Sequence, residues 1–112
     1  MINKTIIEIL KPLNIPVTFQ KYTGKAETYI TFHEYLTSGE AYEEDEEALI
    51  GHYIQIDIWS KGDYTVIVKE AKEKLRKAGF RRLNESDLYE EDTKIYHKGL
   101  KFYYLEEGEM NA

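Results

Sequence analysis

The stretch Ile50–Phe80, IGHYIQIDIWSKGDYTVIVKEAKEKLRKAGF, constrains the fold more than any other part of the chain. Ile50, His52, Ile54, Ile56 and Ile58 alternate with Gly51, Tyr53, Gln55, Asp57 and Trp59. Period-two alternation of this kind predicts a strand with one apolar face. Ser60-Lys61-Gly62-Asp63 breaks the pattern, and Ser60 or Asp63 is placed to cap a following helix. Tyr64, Ile67, Val68, Ala71, Leu75 and Ala78 then recur at helical spacing, which predicts a stripe facing a core. Gly79 stands where a left-handed C-terminal cap is wanted, and Phe80 restarts an extended pattern. Asp57, Trp59, Gly79 and Phe80 are therefore expected to define a strand–helix–strand unit.

The rest of the chain builds around that unit. Thr5 and Glu8 match a capping box, with Ile6, Ile9, Leu10 and Leu13 on one helical face. Pro12 and Ile15-Pro16 are expected to end this short helix. Val17–Tyr22 reads as a strand, Thr23-Gly24-Lys25 as a turn, and Thr28–Leu36 as a second strand. Thr37–Glu47, TSGEAYEEDEE, reads as an exposed acidic loop, because five consecutive acids repel one another and resist burial. Beyond the main helix come a strand within Phe80–Tyr89, an acidic turn, and a long strand over Lys94–Leu105 in which Gly99 marks a bulge. The expected fold is α+β: a mostly antiparallel curved sheet, one main helix packed on it and a short N-terminal helix, in the order α-β-β-β-α-β-β. Residues 1–105 are expected to form one domain and 106–112 a polar tail.

Composition removes several functions. With no cysteine there is no disulfide, thiolate nucleophile or cysteine-held metal site. No apolar run is long enough to span a bilayer, and Met1-Ile2-Asn3-Lys4 does not open a signal peptide, so a cytoplasmic origin is expected. Ten tyrosines lean toward subunit contacts. The glycines never cluster into a phosphate loop, and Ser38, Ser60 and Ser86 lie outside any nucleophile-elbow pattern. His33, His52 and His97 all fall on expected strands. They would form a metal site only by meeting on one sheet face with Asp57 or Glu34, so a structural role is the better reading. No cofactor and no metal is expected.

Charge is unevenly spread. The net charge is −6. No Lys or Arg occurs from Ala26 to Ser60, where Glu43, Glu44, Asp45, Glu46 and Glu47 form a block. From Lys61 to Arg82 the balance reverses, with Lys69, Lys72, Arg76 and Lys77 on the main helix. Such a chain can pair head to tail with copies of itself, against the blander reading of two solvated faces. The acidic block lacks the alternating ligands of a calcium loop, and an acidic protein is a poor duplex binder.

Ile54-Gln55-Ile56-Asp57-Ile58-Trp59-Ser60-Lys61, the helix ending in Gly79-Phe80, and the closing Leu88–Thr93, Tyr96-His97-Lys98 and Leu100–Tyr104 segments resemble the tail-completion proteins of long-tailed bacteriophages. These are also called tail terminators or tail-to-head joining proteins. The resemblance runs from the first helix to Leu105. It implies an α+β fold without catalysis. It further implies a six-fold ring that caps the tail tube, stops its polymerisation and meets the head connector. The implied partners are further copies of the chain, the tail-tube protein and the connector, in a virion assembled in the bacterial cytoplasm. No membrane and no sequence-specific nucleic acid are implied, although DNA passes through such a ring. Glu43–Glu47 of one copy meeting Lys69, Lys72, Arg76 and Lys77 of the next would supply the unlike surfaces a ring needs. The competing readings are another neck or tail-tube protein, and a small cytoplasmic regulatory or ligand-binding domain.

Overall fold

The computed structural model describes residues 2–43 and 46–107. The order is α1 (Ile2–Leu10), a 3-10 turn (Lys11–Leu13), β1 (Val17–Phe19), β2 (Thr28–Glu43), β3 (Glu46–Ser60), α2 (Thr65–Lys77), β4 (Arg81–Glu90) and β5 (Ile95–Glu107). The strands form one sheet in the order β1-β2-β3-β5-β4, in which only the β1–β2 pair is parallel. β5 inserts between β3 and β4, so β3-α2-β4 is a βαβ crossover split by one antiparallel strand. The fold class and element order are those expected from the sequence.

Both helices lie on one face of the sheet. Ile54, Ile56 and Ile58 of β3 are fully buried with Ile30 and Phe32 of β2 and Leu100 and Phe102 of β5. Ile2, Ile6 and Leu10 of α1 and Val68, Ala71 and Leu75 of α2 close over them. Each such side chain contributes about 1.5–3 kcal/mol on burial, which is why the alternation of β3 specifies its register so firmly. The opposite face carries no helix. It presents Tyr29, Thr31, Tyr53, Gln55, Asp57, Trp59, His97 and Tyr103, paired across neighbouring strands.

Several local expectations change. Thr5 does not cap α1, which begins at Ile2. Burying Ile2 as a third residue on the Ile6 and Leu10 stripe outweighs a cap worth about 1 kcal/mol. The helix passes into the 3-10 turn at Pro12 and stops at Asn14, whose φ of 60° is left-handed. β1 spans three residues rather than six, because only Val17–Phe19 pair with Ile30–Phe32. The N-cap of α2 is Tyr64, which makes no side-chain cap bond; Asp63, one residue earlier, braces the first turn, its Oδ1 accepting the Thr65 amide at 2.9 Å and the Thr65 hydroxyl at 2.6 Å. Ser60 Oγ serves the turn before it, accepting the Gly62 amide at 3.1 Å. Ala78 lies outside the buried stripe and is exposed. Gly99 pairs regularly with Asp57 and Ser86, and the bulge falls instead at Leu83, between Arg82 and Asn84.

The largest correction concerns Thr37–Glu47. Its described residues are strand rather than loop, Glu44 and Asp45 lying outside them: β2 and β3 remain paired out to Glu43 opposite Glu46, with irregularities at Tyr35, Glu40 and between Ala41 and Tyr42. Two unit charges 4 Å apart in water cost only about 1 kcal/mol, and less with salt. A ladder of backbone hydrogen bonds, each worth about 0.5–1.5 kcal/mol, offsets this repulsion. The result is an arm projecting beyond the helices, and the molecule measures 52 × 24 × 23 Å.

Candidate functional site

A groove of about 510 Å³ lies beside the C-terminal half of α2. Phe80 and Phe102 close its floor, and Lys69, Lys72, Arg76, Arg81 and Arg82 stand around it with Glu73. The two phenylalanines are almost wholly buried, so the aliphatic stems of the cations form much of the wall. Gly79 brings the chain round the corner. With φ of 99° it ends α2 in a Schellman pattern, in which the Phe80 amide donates to the Leu75 carbonyl at 2.9 Å and the Gly79 amide to Arg76 at 3.0 Å. That turn starts β4 beside the helix lysines, with Arg82 opposite Phe102 on the α2 side and the Arg81 guanidinium turned over Tyr103. Of the four helix cations singled out from the sequence, Lys69, Lys72 and Arg76 reach the groove and Lys77 does not line it.

These cations are not equally free. Lys72 Nζ lies 3.1 Å from Glu85 Oε2, and Arg82 Nε lies 3.5 Å from the same oxygen. The Arg81 guanidinium sits 5.3 Å above the Tyr103 ring. Lys69 and Arg76 make no ion pair among the described residues. Glu85 belongs to a wider network joining α2, β4 and β5. Lys98 Nζ reaches Glu85 at 3.0 Å and Asp87 at 3.2 Å, and the Tyr64 hydroxyl donates to Asp87 at 2.7 Å. The hydrogen bond from Lys98 holds the Glu85 carboxyl below its usual range despite burial, with Lys72 adding to the effect. The Tyr64 hydrogen bond, then Lys98, does the same for Asp87. Burial opposes the charge on Lys98, but hydrogen bonds to Glu85 and Asp87 outweigh it and raise its pKa. Burial and the Asp87 contact push Tyr64 up to about 12.

The three histidines do not converge. His52 lies on the helix-bearing side at the base of the arm, with Nδ1 2.5 Å from Glu34 Oε2 and Nε2 2.7 Å from Glu106 Oε1. His97 lies on the helix-free face, where Nε2 is 2.7 Å from Asp57 Oδ1. His33 shares that face with Gln55 opposite it. No group of three potential metal ligands is placed to hold an ion among the described residues.

Asp57 and Trp59 hold the helix-free face together. Asp57 is 6% exposed, and its Oδ1 also accepts the Gln55 amide nitrogen at 2.8 Å. A Cβ at Gly99 would meet Asp57 Oδ1 at 3.6 Å, an ordinary contact, so the carboxylate does not depend on a glycine there. Trp59 stacks on His97 with centroids 3.8 Å apart and donates to Thr31 Oγ1 at 3.0 Å. Tyr29 stacks beyond Trp59, and Tyr22 beyond Tyr29 at 4.4 Å. The arrangement is a hydrogen-bonded polar centre under aromatic rings.

Of the acidic block, Glu43, Glu46 and Glu47 lie at the far end of the arm. Glu43 pairs with Glu46 and Tyr42 with Glu47 along the backbone, while Glu44 and Asp45 lie outside the described residues. Sequence reasoning missed Arg81, Arg82 and the Glu85–Lys98–Asp87 network. The doublet after Gly79-Phe80 was a usable signal, because a helix stop returns the next residues to the side of the helix they follow.

No family model matches the chain. No curated protein matches it either. Among solved structures, a chain in the virion of a native gene transfer agent particle shares the fold, with a TM-score of 0.62 and 15% identity. The alignment covers 92% of this chain and 84% of that one.

Proposed function

We propose that this protein is a structural, non-enzymatic component of a phage-like virion that caps the tail tube as a six-copy ring. In that role it ends tube polymerisation and forms the surface on which tail and head join. The observation that carries this reading is the fold shared over 92% of the chain with a component of a gene transfer agent virion. The sequence resemblance to tail-completion proteins points the same way. Two physical features fit. The sheet ends in unlike edges, β4 on one side and the outer half of β2 on the other, since β1 covers only Ile30–Phe32. The acidic arm and the basic groove are likewise unlike surfaces, and a heterologous contact between unlike surfaces makes a ring when its rotation closes. Glu43, Glu44, Asp45, Glu46 and Glu47 of one copy would face Lys69, Lys72, Arg76 and Lys77 of the next. The tail-tube protein and the head connector would bind above and below, with DNA crossing the lumen.

The test is native mass against concentration, followed by negative-stain imaging of the protein alone and with purified tail tubes. Closed six-copy rings, alone or on tube ends, are the expected result. Tubes of indefinite length would reassign the chain to the tube itself. A fixed dimer that never binds tubes would overturn the virion reading. Reversing Glu43, Glu46 and Glu47 to Lys is expected to weaken ring closure, and unchanged assembly would remove the charged interface from the proposal.

A further inference from the structure

The groove and the arm match in more than charge. The groove is a cleft floored by Phe80 and Phe102 and rimmed by Lys69 and Arg76, which lack ion pairs among the described residues. A segment seated there needs a flat, largely apolar side chain to lie against the aliphatic stems of the cations and carboxylates to meet their charged ends at the rim. The outer part of β2 has that composition: Glu40-Ala41-Tyr42-Glu43.

The arm cannot fill its own groove. Ile54, Phe102 and Arg82 lie in one cross-strand row that reaches the groove. Tyr42 pairs with Glu47, seven residues along β3 from that row, which is roughly 23 Å at 3.3 Å per residue. The β2–β3 ladder stays paired along this whole length, so the arm does not fold back.

We infer that the groove between α2 and β4 receives the Glu40–Glu43 segment of a second copy, with Tyr42 as the anchor and Glu40 and Glu43 on Lys69 and Arg76. This rests on the ring reading, because a donor arm and an acceptor groove on every copy generate a head-to-tail series. It goes beyond that reading by making an aromatic side chain the centre of the contact. Centrally placed Tyr and Arg are the residue types that dominate interface energies, whereas rim charges mainly steer encounter.

The experiment replaces Tyr42 with a photoreactive phenylalanine derivative in the full chain. Light and heavy isotope-labelled copies are mixed, irradiated under assembling conditions with and without tail tubes, and the cross-linked peptides are mapped. Cross-links between copies landing within Lys69–Arg82 are the expected result. Arg76→Glu is expected to lower their yield about tenfold, Glu43→Arg to do the same, and the two together to restore most of it. Cross-links between copies that land elsewhere would overturn this contact while leaving the ring intact. Links confined to single copies, with no assembly on tubes, would overturn both. Loss of the cross-link on adding a short DNA duplex at physiological salt, with DNA bound in its place, would overturn the assignment of the groove to a protein segment.

Discussion

Gly79 holds a φ of 99°, where a side chain is strained whatever space surrounds it. Gly79→Ala is expected to cost about 1–2 kcal/mol in urea unfolding, with Arg81 and Arg82 displaced from the groove as a further consequence. The same corner feeds the Glu85–Lys98–Asp87–Tyr64 network, whose pH signature has two limbs. Glu85 and Asp87 titrate below their ordinary values of 4.5 and 3.8. Their contribution is therefore present above those values and lost as pH falls through the folded ones. Tyr64 and Lys98 are raised, so theirs is whole below the ordinary values of 10.0 and 10.5 and fades as pH rises, for Tyr64 through about 12. Unfolding measured across pH should show Lys98→Met flattening the acid limb and Tyr64→Phe the alkaline one. Each effect should stay within about 1 kcal/mol because the network is partly exposed. Gly79 was legible in the sequence because a cap is a local decision. Lys98 was not: it occupies a core-side position of β5, and only the bulge at Leu83 brings Glu85 and Asp87 round to meet it.

Among the elements, β3 was the most legible and the β2–β3 arm the least. Ile54, Ile56 and Ile58 reveal their common face by spacing alone, whereas nothing in TSGEAYEEDEE alternates by hydrophobicity. Its pairing is decided by the backbone, which a residue pattern does not display. The base of the arm depends on contacts still further from local reading. Glu106 lies 54 residues from His52, and the tyrosine bulge beside Glu34 lies on a third strand segment. Native-state hydrogen exchange should grade β2 along its length. Amides of Ile30–Phe32, flanked by β1 and β3, should exchange more slowly than those of Leu36–Glu43, which have β3 alone. His52→Leu should speed exchange in the arm, since it leaves Glu34 and Glu106 without their shared partner, and leave Arg81–Glu90 unchanged. Equal acceleration in β4 would show that His52 supports the sheet as a whole rather than the arm.

At the scale of the molecule, the two helices protect the sheet only near its centre, and the 52 Å long axis is set by strands that run past them. The fold class and element order could be read from pattern because one strand–helix–strand unit organises the core. The groove could be read only in part, since its cations come from α2 and from β4 and meet through a turn. The division into a helix-covered body and an uncovered arm has a consequence for how such chains diverge. An antiparallel hairpin can gain two residues on each strand without changing which faces its side chains occupy. Each such gain moves the tip outward by about 7 Å, leaving the core residues where they are. Arm length is therefore a dimension that can drift, or be engineered, separately from folding. In the proposed assembly it would set the spacing between neighbouring copies much as the length of a spoke sets the radius of a wheel.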